Sequence, residues 1–487
     1  MLEYLLLSSL LLLPSQGKTG RFVHLTDVHL DEDYSEYGQA DHFCHKKQHS
    51  RSNRRGNSLG VFGNYRECDS PLILVRSAFE AAAAVEPRPD AVFYTGDAYP
   101  HLTNDVYNTN ITIKTLKSVT QELKRAFPNT EKIIGVLGNH DYHPKYMMEK
   151  ERFRRGGYYE RELIPGKLVS LNLNTILYYL FNTVEMQDPK DPAGQFAWLE
   201  KRLKSAREKK IKVLLVGHVG IGVSERRDFG NTPLLHEHFN RRLVSLSVEY
   251  SDVIWFHLYG HSHSDTFYLV RGRDGSRREK PVGFALVAPA VTSWDGWCNP
   301  GFRIIEYDTD TLRITNILQY YLNLTEANHR REAKWRLEYD YAGAYNLTEV
   351  AADSLHALLS KRLAKDPALF HQYFLRNSAQ QPDRQACNRT CRRSHLCAMA
   401  FVDMAAYRRC YGAKSTRGRT SSAVLVSVVA VVLAIALFIT GSAFAWRYFV
   451  RKRPVFASSW PFLVFCSDRL EMQRLTPPKE TTSDADL

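Results

Sequence analysis

Five short apolar runs in this chain each stop at a cluster of histidine, aspartate or asparagine, and that repetition limits the fold more than any other feature. Residues 21–26 run into Asp27-Val28-His29, residues 90–94 into Thr95-Gly96-Asp97, and residues 132–137 into Gly138-Asn139-His140-Asp141. Residues 211–216 lead straight to Gly217-His218, and residues 253–259 to Gly260-His261-Ser262-His263. Apolar runs this short read as buried strands. Residues 168–172 add a further strand, and residues 72–85, 113–126 and 196–208 carry helical patterns. Strands alternating with helices predict an α/β fold with helices over the sheet faces. In such a fold the loops at the carboxyl ends of the strands gather along one edge, where ligands bind. The five polar clusters are therefore expected to converge.

The residue types say what could happen there. In Asp27-Val28-His29 the alternation of an extended segment sends carboxylate and imidazole to the same side. Gly96 allows a tight turn before Asp97, and His101 follows four residues later. The Asn139 side-chain oxygen can complete a metal's shell while His140 points an imidazole at whatever the metal holds. Oxygen and nitrogen donors without thiolates suit zinc, manganese or iron. Seven candidates, Asp27, His29, Asp97, Asn139, His218, His261 and His263, suffice for two metals about 3.5–4 Å apart that share one carboxylate. Such a pair holds a bridging hydroxide that attacks a phosphoryl group in line, and a histidine near its working pKa protonates the leaving oxygen.

Residues 1–17 are expected to be a signal peptide, because the apolar stretch 5–13 is too short to span a bilayer and small residues follow it. Residues 423–446 are apolar and long enough to cross, and Arg447, Arg451, Lys452 and Arg453 come directly after. The expected topology is a type I single-pass protein at the cell surface or an endolysosomal membrane. Residues 413–422 would link the extracellular or lumenal part to the span, and residues 447–487 would form a cytosolic tail. Seven of the eight cysteines then face an oxidising compartment, with Cys466 alone in the tail. Cys387, Cys391, Cys397 and Cys410 read as a local disulfide framework, and Cys44 and Cys68 could clip the loop between them. Zinc binding by these cysteines fits that compartment poorly. Cys298 is left over, either buried or open to an intermolecular bond. The sequons at Asn110, Asn323, Asn346 and Asn388 all precede the apolar span, as glycosylation in the lumen requires. A net charge of +13 suits anionic partners such as phosphate compounds or a membrane surface. No basic block is regular enough for a nucleic-acid polymer.

The order D-x-H, G-D-x-x-x-H, G-N-H-D, G-H and G-H-x-H resembles that of the calcineurin-like metallophosphoesterases. Within them, the chain is similar to the acid sphingomyelinase-like phosphodiesterases. That likeness extends to Cys68-Asp69-Ser70-Pro71, Asn299-Pro300-Gly301-Phe302-Arg303, the run from Gln319 to Thr325, and the C-terminal cysteine pattern. The resemblance implies a four-layer β-sandwich flanked by helices over residues 18–315 and a small helical, disulfide-bonded subdomain over residues 316–412. It further implies two zinc ions per chain, one on Asp27, His29 and His263, the other on Asn139, His218 and His261, with Asp97 bridging. His140 and His101 would face the scissile phosphate, and the disulfides would be Cys44–Cys68, Cys387–Cys391 and Cys397–Cys410. The implied substrates are small phosphodiesters, nucleotide phosphoanhydrides or phospholipids, the last with an effect on membrane lipid composition. A rival of another class is a catalytically weak, membrane-anchored receptor or lipid-binding protein on the same fold. Purple acid phosphatases fit less well, because Pro100 stands where they place a tyrosine ligand. The chain departs from the resembled family at residues 145–157, which are short and charged where relatives carry an aromatic-rich insert, at Val219-Gly220 in place of prolines, and at Cys298.

Overall fold

The structure is a computed structural model that describes residues 18–46, 58–103, 108–142, 156–183, 189–225, 232–273, 279–382 and 386–412. Twelve strands, numbered in chain order, form two six-stranded sheets among the described residues. The first sheet holds β1 (Thr19–Leu25), β2 (Ala91–Tyr94), β3 (Ile133–Gly135), β10 (Gly301–Asp308), β11 (Ile314–Leu322) and β12 (Trp335–Asp340), in the order β12-β11-β10-β1-β2-β3. The second holds β4 (Tyr159–Ile164), β5 (Leu168–Asn172), β6 (Lys212–Val216), β7 (Ile254–Tyr259), β8 (Thr266–Arg273) and β9 (Glu279–Val287), in the order β4-β5-β6-β7-β9-β8. β1, β2 and β3 are parallel, as are β5, β6, β7 and β9, while β10, β11 and β12 join the first sheet, and β4 and β8 the second, through antiparallel pairings.

The alternation along each strand explains the layering. Phe22, Phe93, Leu214, Val216, Phe256 and Leu258 point into a core shared by the two sheets. Their neighbours Val23, Leu25, Val92 and Tyr94 turn the other way, onto α1 (Leu72–Val85) and α2 (Thr109–Ala126) through Leu74, Phe79, Val119 and Leu123. On the far side, Val213 and Leu215 meet α3 (Gln195–Glu208) and α4 (Glu237–Glu249) through Phe196, Leu203, Phe239 and Leu243. Strands buried on both faces read as continuous apolar runs, and this is why β2 is Ala-Val-Phe-Tyr with every residue buried. The order helices, sheet, sheet, helices is the expected four-layer arrangement.

The boundary expected at residues 315/316 falls inside β11. Beyond β11 the chain forms α5 (Leu324–Arg330), α6 (Tyr341–Tyr345), α7 (Ala352–Ala357) running into a π-helical turn at Leu358–Leu363, α8 (Pro367–Asn377), α9 (Arg389–Ala400) and α10 (Met404–Tyr411). The same C-terminal segment contributes β11 and β12 to the first sheet. Leu355, Leu359, Phe370, Tyr373, Phe374 and Met399 pack into the same core as Phe93 and Phe256. The C-terminal segment is thus continuous with the sandwich rather than a separate lobe, and Ala398, Val402, Met404 and Tyr407 also bury on the outer face beside α4.

Cys44–Cys68, Cys387–Cys391 and Cys397–Cys410 are disulfides, matching the implied pairs. Cys298 takes part in none of them, is buried, and directs its thiol to the Thr292 carbonyl at 3.6 Å. Asn110, Asn346 and Asn388 are exposed, whereas Asn323 is half-buried and caps α5 by accepting from the Glu326 N–H. No helix among the described residues is long and apolar enough to cross a membrane. The apolar run 423–446, the linker and tail around it, and residues 1–17 lie outside the described residues, as does most of 145–157. Truncating a ring between the sheets leaves a cavity costing about 3–5 kcal/mol. Phe93→Ala is therefore expected to lower the thermal unfolding midpoint sharply, whereas Leu337→Ala, at a side chain 49% exposed, should leave it nearly unchanged.

Candidate metal centre

The carboxyl ends of β1, β2, β3, β6 and β7 meet at one edge of the sandwich, and backbone hydrogen bonds stitch their loops together. The Asp27 N–H donates to the Gly96 carbonyl, the His29 N–H to the Asp97 carbonyl, and the Gly260 N–H to the His218 carbonyl, each at 3.0–3.1 Å. Asp141 binds three loop amides with one carboxylate, accepting from the N–H groups of Gly138, Asp97 and Ala98 at 2.8–2.9 Å. Gly138 is a residue of necessity, since a Cβ there would fall on the Asp97 carboxylate. Asp27 is fixed by the Thr26 hydroxyl at 2.5 Å and by the His261 N–H at 3.0 Å. Asp27, His29, Asp97, His261 and His263 all have positive φ, between 40° and 67°. That left-handed backbone turns their side chains inward together.

The buried donors face one another at separations that suit a coordination shell. From Asp97 Oδ2, His218 Nε2 is 3.1 Å away and His29 Nε2 is 3.5 Å away. From Asp27 Oδ1, the Nε2 atoms of His263, His29 and His218 lie at 3.4, 3.8 and 3.9 Å. Ligand atoms about 2.0–2.2 Å from a zinc ion stand roughly 3–3.5 Å from each other, and the spacings of 3.1, 3.4 and 3.5 Å fall in that range. His218 makes the fit specific. Its Nδ1 donates to the Thr95 carbonyl at 2.6 Å, which leaves Nε2 facing two oxygens, Asn139 Oδ1 at 3.0 Å and Asp97 Oδ2 at 3.1 Å. A neutral imidazole has no second proton to offer them. A proton or a cation at Nε2 resolves the conflict. His29 repeats the pattern: Nδ1 bonds the Tyr99 carbonyl at 2.7 Å, while Nε2 is buried without a hydrogen bond. Carbonyl-anchored Nδ1–H groups are how metal-ligating histidines are held in the right tautomer.

The electrostatics agree. Burial opposes ionisation of Asp27, but His263 and His218 outweigh it and hold the carboxyl well below its usual range. Asp97 is likewise held low, against burial, by His218 and His140. Burial alone would neutralise His218, yet the Asp97 and Asp27 carboxylates lift it to about 9. Burial pushes His261 down to about 3, leaving its imidazole neutral and able to ligate.

All nine residues predicted from sequence lie in this cluster. Asp97, His218 and His261 present donor atoms within 4.8 Å of one another, as do His29, Asp97 and His140, and His29, His101 and His263. Asn139 joins through its contact with His218. His101 is half-buried and stacked between His29 and Trp294, at 3.9 Å from each ring. His140 donates its backbone N–H to Asp97 Oδ1 at 2.8 Å and sets its ring edge-on to His101 at 4.3 Å. Sequence reasoning gave no role to Asp69, which binds the His101 Nδ1 at 2.8 Å and its backbone N–H at 2.5 Å. Its presence in Cys68-Asp69-Ser70-Pro71 was the available signal. Nothing in the spacing pointed to Trp294.

Comparison with known proteins agrees with the geometry. Residues 20–265 match the calcineurin-like phosphoesterase family, and residues 280–417 match the acid sphingomyelin phosphodiesterase C-terminal region. This chain is a calcineurin-like phosphoesterase of the acid sphingomyelinase-like branch. With that membership comes the reaction class of a metal-dependent phosphodiester hydrolase. The phosphoesterase is 31% identical to human acid sphingomyelinase-like phosphodiesterase 3b, over 82% of this chain and 92% of that protein. It is 31% identical to human cyclic GMP-AMP phosphodiesterase SMPDL3A, over 80% and 90%. Sphingomyelinase phosphodiesterase C of Dictyostelium discoideum is 30% identical over 81% and 93%.

In this phosphoesterase, Gly138→Ala should distort Asp97 by overpacking, at a cost of about 1–3 kcal/mol. Elemental analysis of the purified variant is expected to show a clear loss of bound divalent metal relative to the parent.

Proposed function

We propose that this phosphoesterase is a two-zinc phosphodiesterase working outside the cytosol on small phosphodiesters, nucleotide phosphoanhydrides or phospholipids. The observation that carries the reading is His218 Nε2 held between two oxygens at the meeting point of five strand ends. Asp27, His29 and His263 would hold one cation and Asn139, His218 and His261 the other, with Asp97 shared. Bound there, two divalent ions supply Lewis acidity, lowering the pKa of water and screening the charge of the phosphoryl group.

The chain's own residues supply the rest. The His140 backbone N–H on Asp97 Oδ1 aims its ring over the cluster, where an imidazole stabilises phosphoryl charge. His101 donates from Nδ1 to Asp69, which fixes the ring and leaves Nε2 as the atom that would carry a proton to the departing oxygen. Trp294 and His29 clamp that ring between them and prevent it from swinging away. Substrate range is supported by the relatives' names, one given for cyclic GMP-AMP and one for sphingomyelin, which share the phosphoric ester bond. The three disulfides support a secretory route. A leader at residues 1–17, glycans at Asn110, Asn323, Asn346 and Asn388, and a membrane span at residues 423–446 complete the proposal.

Hydrolysis of bis-p-nitrophenyl phosphate by the expressed protein is expected to stop on chelation and return with zinc. His140→Ala should lower kcat by about 10²–10⁴-fold. Turnover that survives exhaustive chelation would overturn the reading.

A further inference from the structure

The motif Asn299-Pro300-Gly301-Phe302-Arg303 plays no part in that chemistry, yet both of its polar side chains are fully buried. Asn299 accepts from the Tyr65 hydroxyl and the Leu324 N–H and donates to the Ala379 carbonyl. Arg303, on β10, donates through Nη2 to Asp265 Oδ1 at 2.7 Å and through Nε to Gln319 Oε1 at 3.1 Å. Asp265 stands two residues after His263, at the end of the turn that leads from β7 into β8. Its carboxylate also accepts from the hydroxyl of Tyr339 at 2.5 Å and of Tyr341 at 3.0 Å. Its backbone is gripped as well: the Asp265 N–H donates to the Asn377 carbonyl at 3.0 Å, and the Asn377 amide donates to the Asp265 carbonyl at 2.9 Å. One residue therefore gathers bonds from β10, β12, α6 and α8.

A buried ion pair of this kind is a poor source of net stability, because desolvating two charges offsets most of their attraction. It does impose geometry. The turn it holds needs that, since His261 and His263 have φ of 67° and 50° and would relax out of the left-handed region if released.

We propose that Asp265 is a positioning residue. Clamped by Arg303, Tyr339 and Tyr341, it locks the His261–His263 turn so that both imidazoles reach the cations. None of the seven candidate ligands comes from the C-terminal segment, but through this clamp it sets the metal affinity of the centre. The inference rests on the two-metal reading.

The test is the zinc affinity of the full-length protein, read by competition with a chromophoric chelator beside the melting temperature of the metal-free form. Asp265→Asn is expected to weaken zinc binding by about 10–100-fold. The Tyr339→Phe/Tyr341→Phe double variant removes two hydroxyls without opening a cavity, and it should weaken binding in the same direction, with a lower metal-free melting temperature because a buried carboxylate loses two donors. Arg336→Gln breaks a half-buried ion pair with Glu326 in the same segment and should leave affinity alone. Equal affinity in the parent and the double variant would overturn the positioning role, as would an equal loss of affinity in Phe93→Ala, which lowers the melting temperature without touching the clamp. A parent that binds no zinc would instead remove the two-metal reading, and the positioning role with it.

Discussion

Two carboxylates that cannot be left alone organise this molecule. Asp27 and Asp97 are buried, ionised and surrounded by imidazoles whose own Nδ1 atoms are committed to backbone carbonyls at His29 and His218. Such an arrangement would be repulsive or proton-starved without a cation. It is also strained, since the left-handed conformation costs about 1–3 kcal/mol at each non-glycine position that adopts it. Strain of that size survives only when neighbours over-determine it. Asp141 and the cross-loop amide bonds do so on the β1, β2 and β3 side, and Asp265 does so behind the β7 turn.

The sandwich exists, functionally, to hold those loops. Each sheet contributes parallel strands whose carboxyl ends reach the same edge, so ligands from residues 27 to 263 can share a space a few ångströms across. The core between the sheets is built of large rings, with Phe22, Phe93, Phe256, Phe267 and Phe284 all in it. Close packing of that kind resists the small shifts that would spoil a coordination shell. The C-terminal helices extend the same core, and this explains how a segment far from the ligands in sequence can bear on their geometry.

Much of this was legible in the sequence. α1 and β5 take the predicted bounds, 72–85 and 168–172, because each is a clean apolar pattern with sharp ends. The convergence of the polar clusters was legible because histidines and aspartates close five apolar runs whose carboxyl ends share one edge. β8 through β12 were not, since they end in ordinary turns and carry no polar tip. β11 also has a bulge at Gln319/Tyr320 that breaks its alternation, and the expected domain boundary fell within it. The support around the site was hidden for another reason. Asp69 meets His101, and Arg303 meets Asp265, across 32 and 38 residues, and no local pattern encodes such pairs.

On the proposed reading, the converged strand ends form a two-metal centre with Asp97 between the ions. Anomalous diffraction from crystals of the zinc-loaded protein measures this directly. Two peaks about 3.5–4 Å apart flanking the Asp97 carboxylate are expected. A single peak, or peaks remote from Asp97, would contradict it.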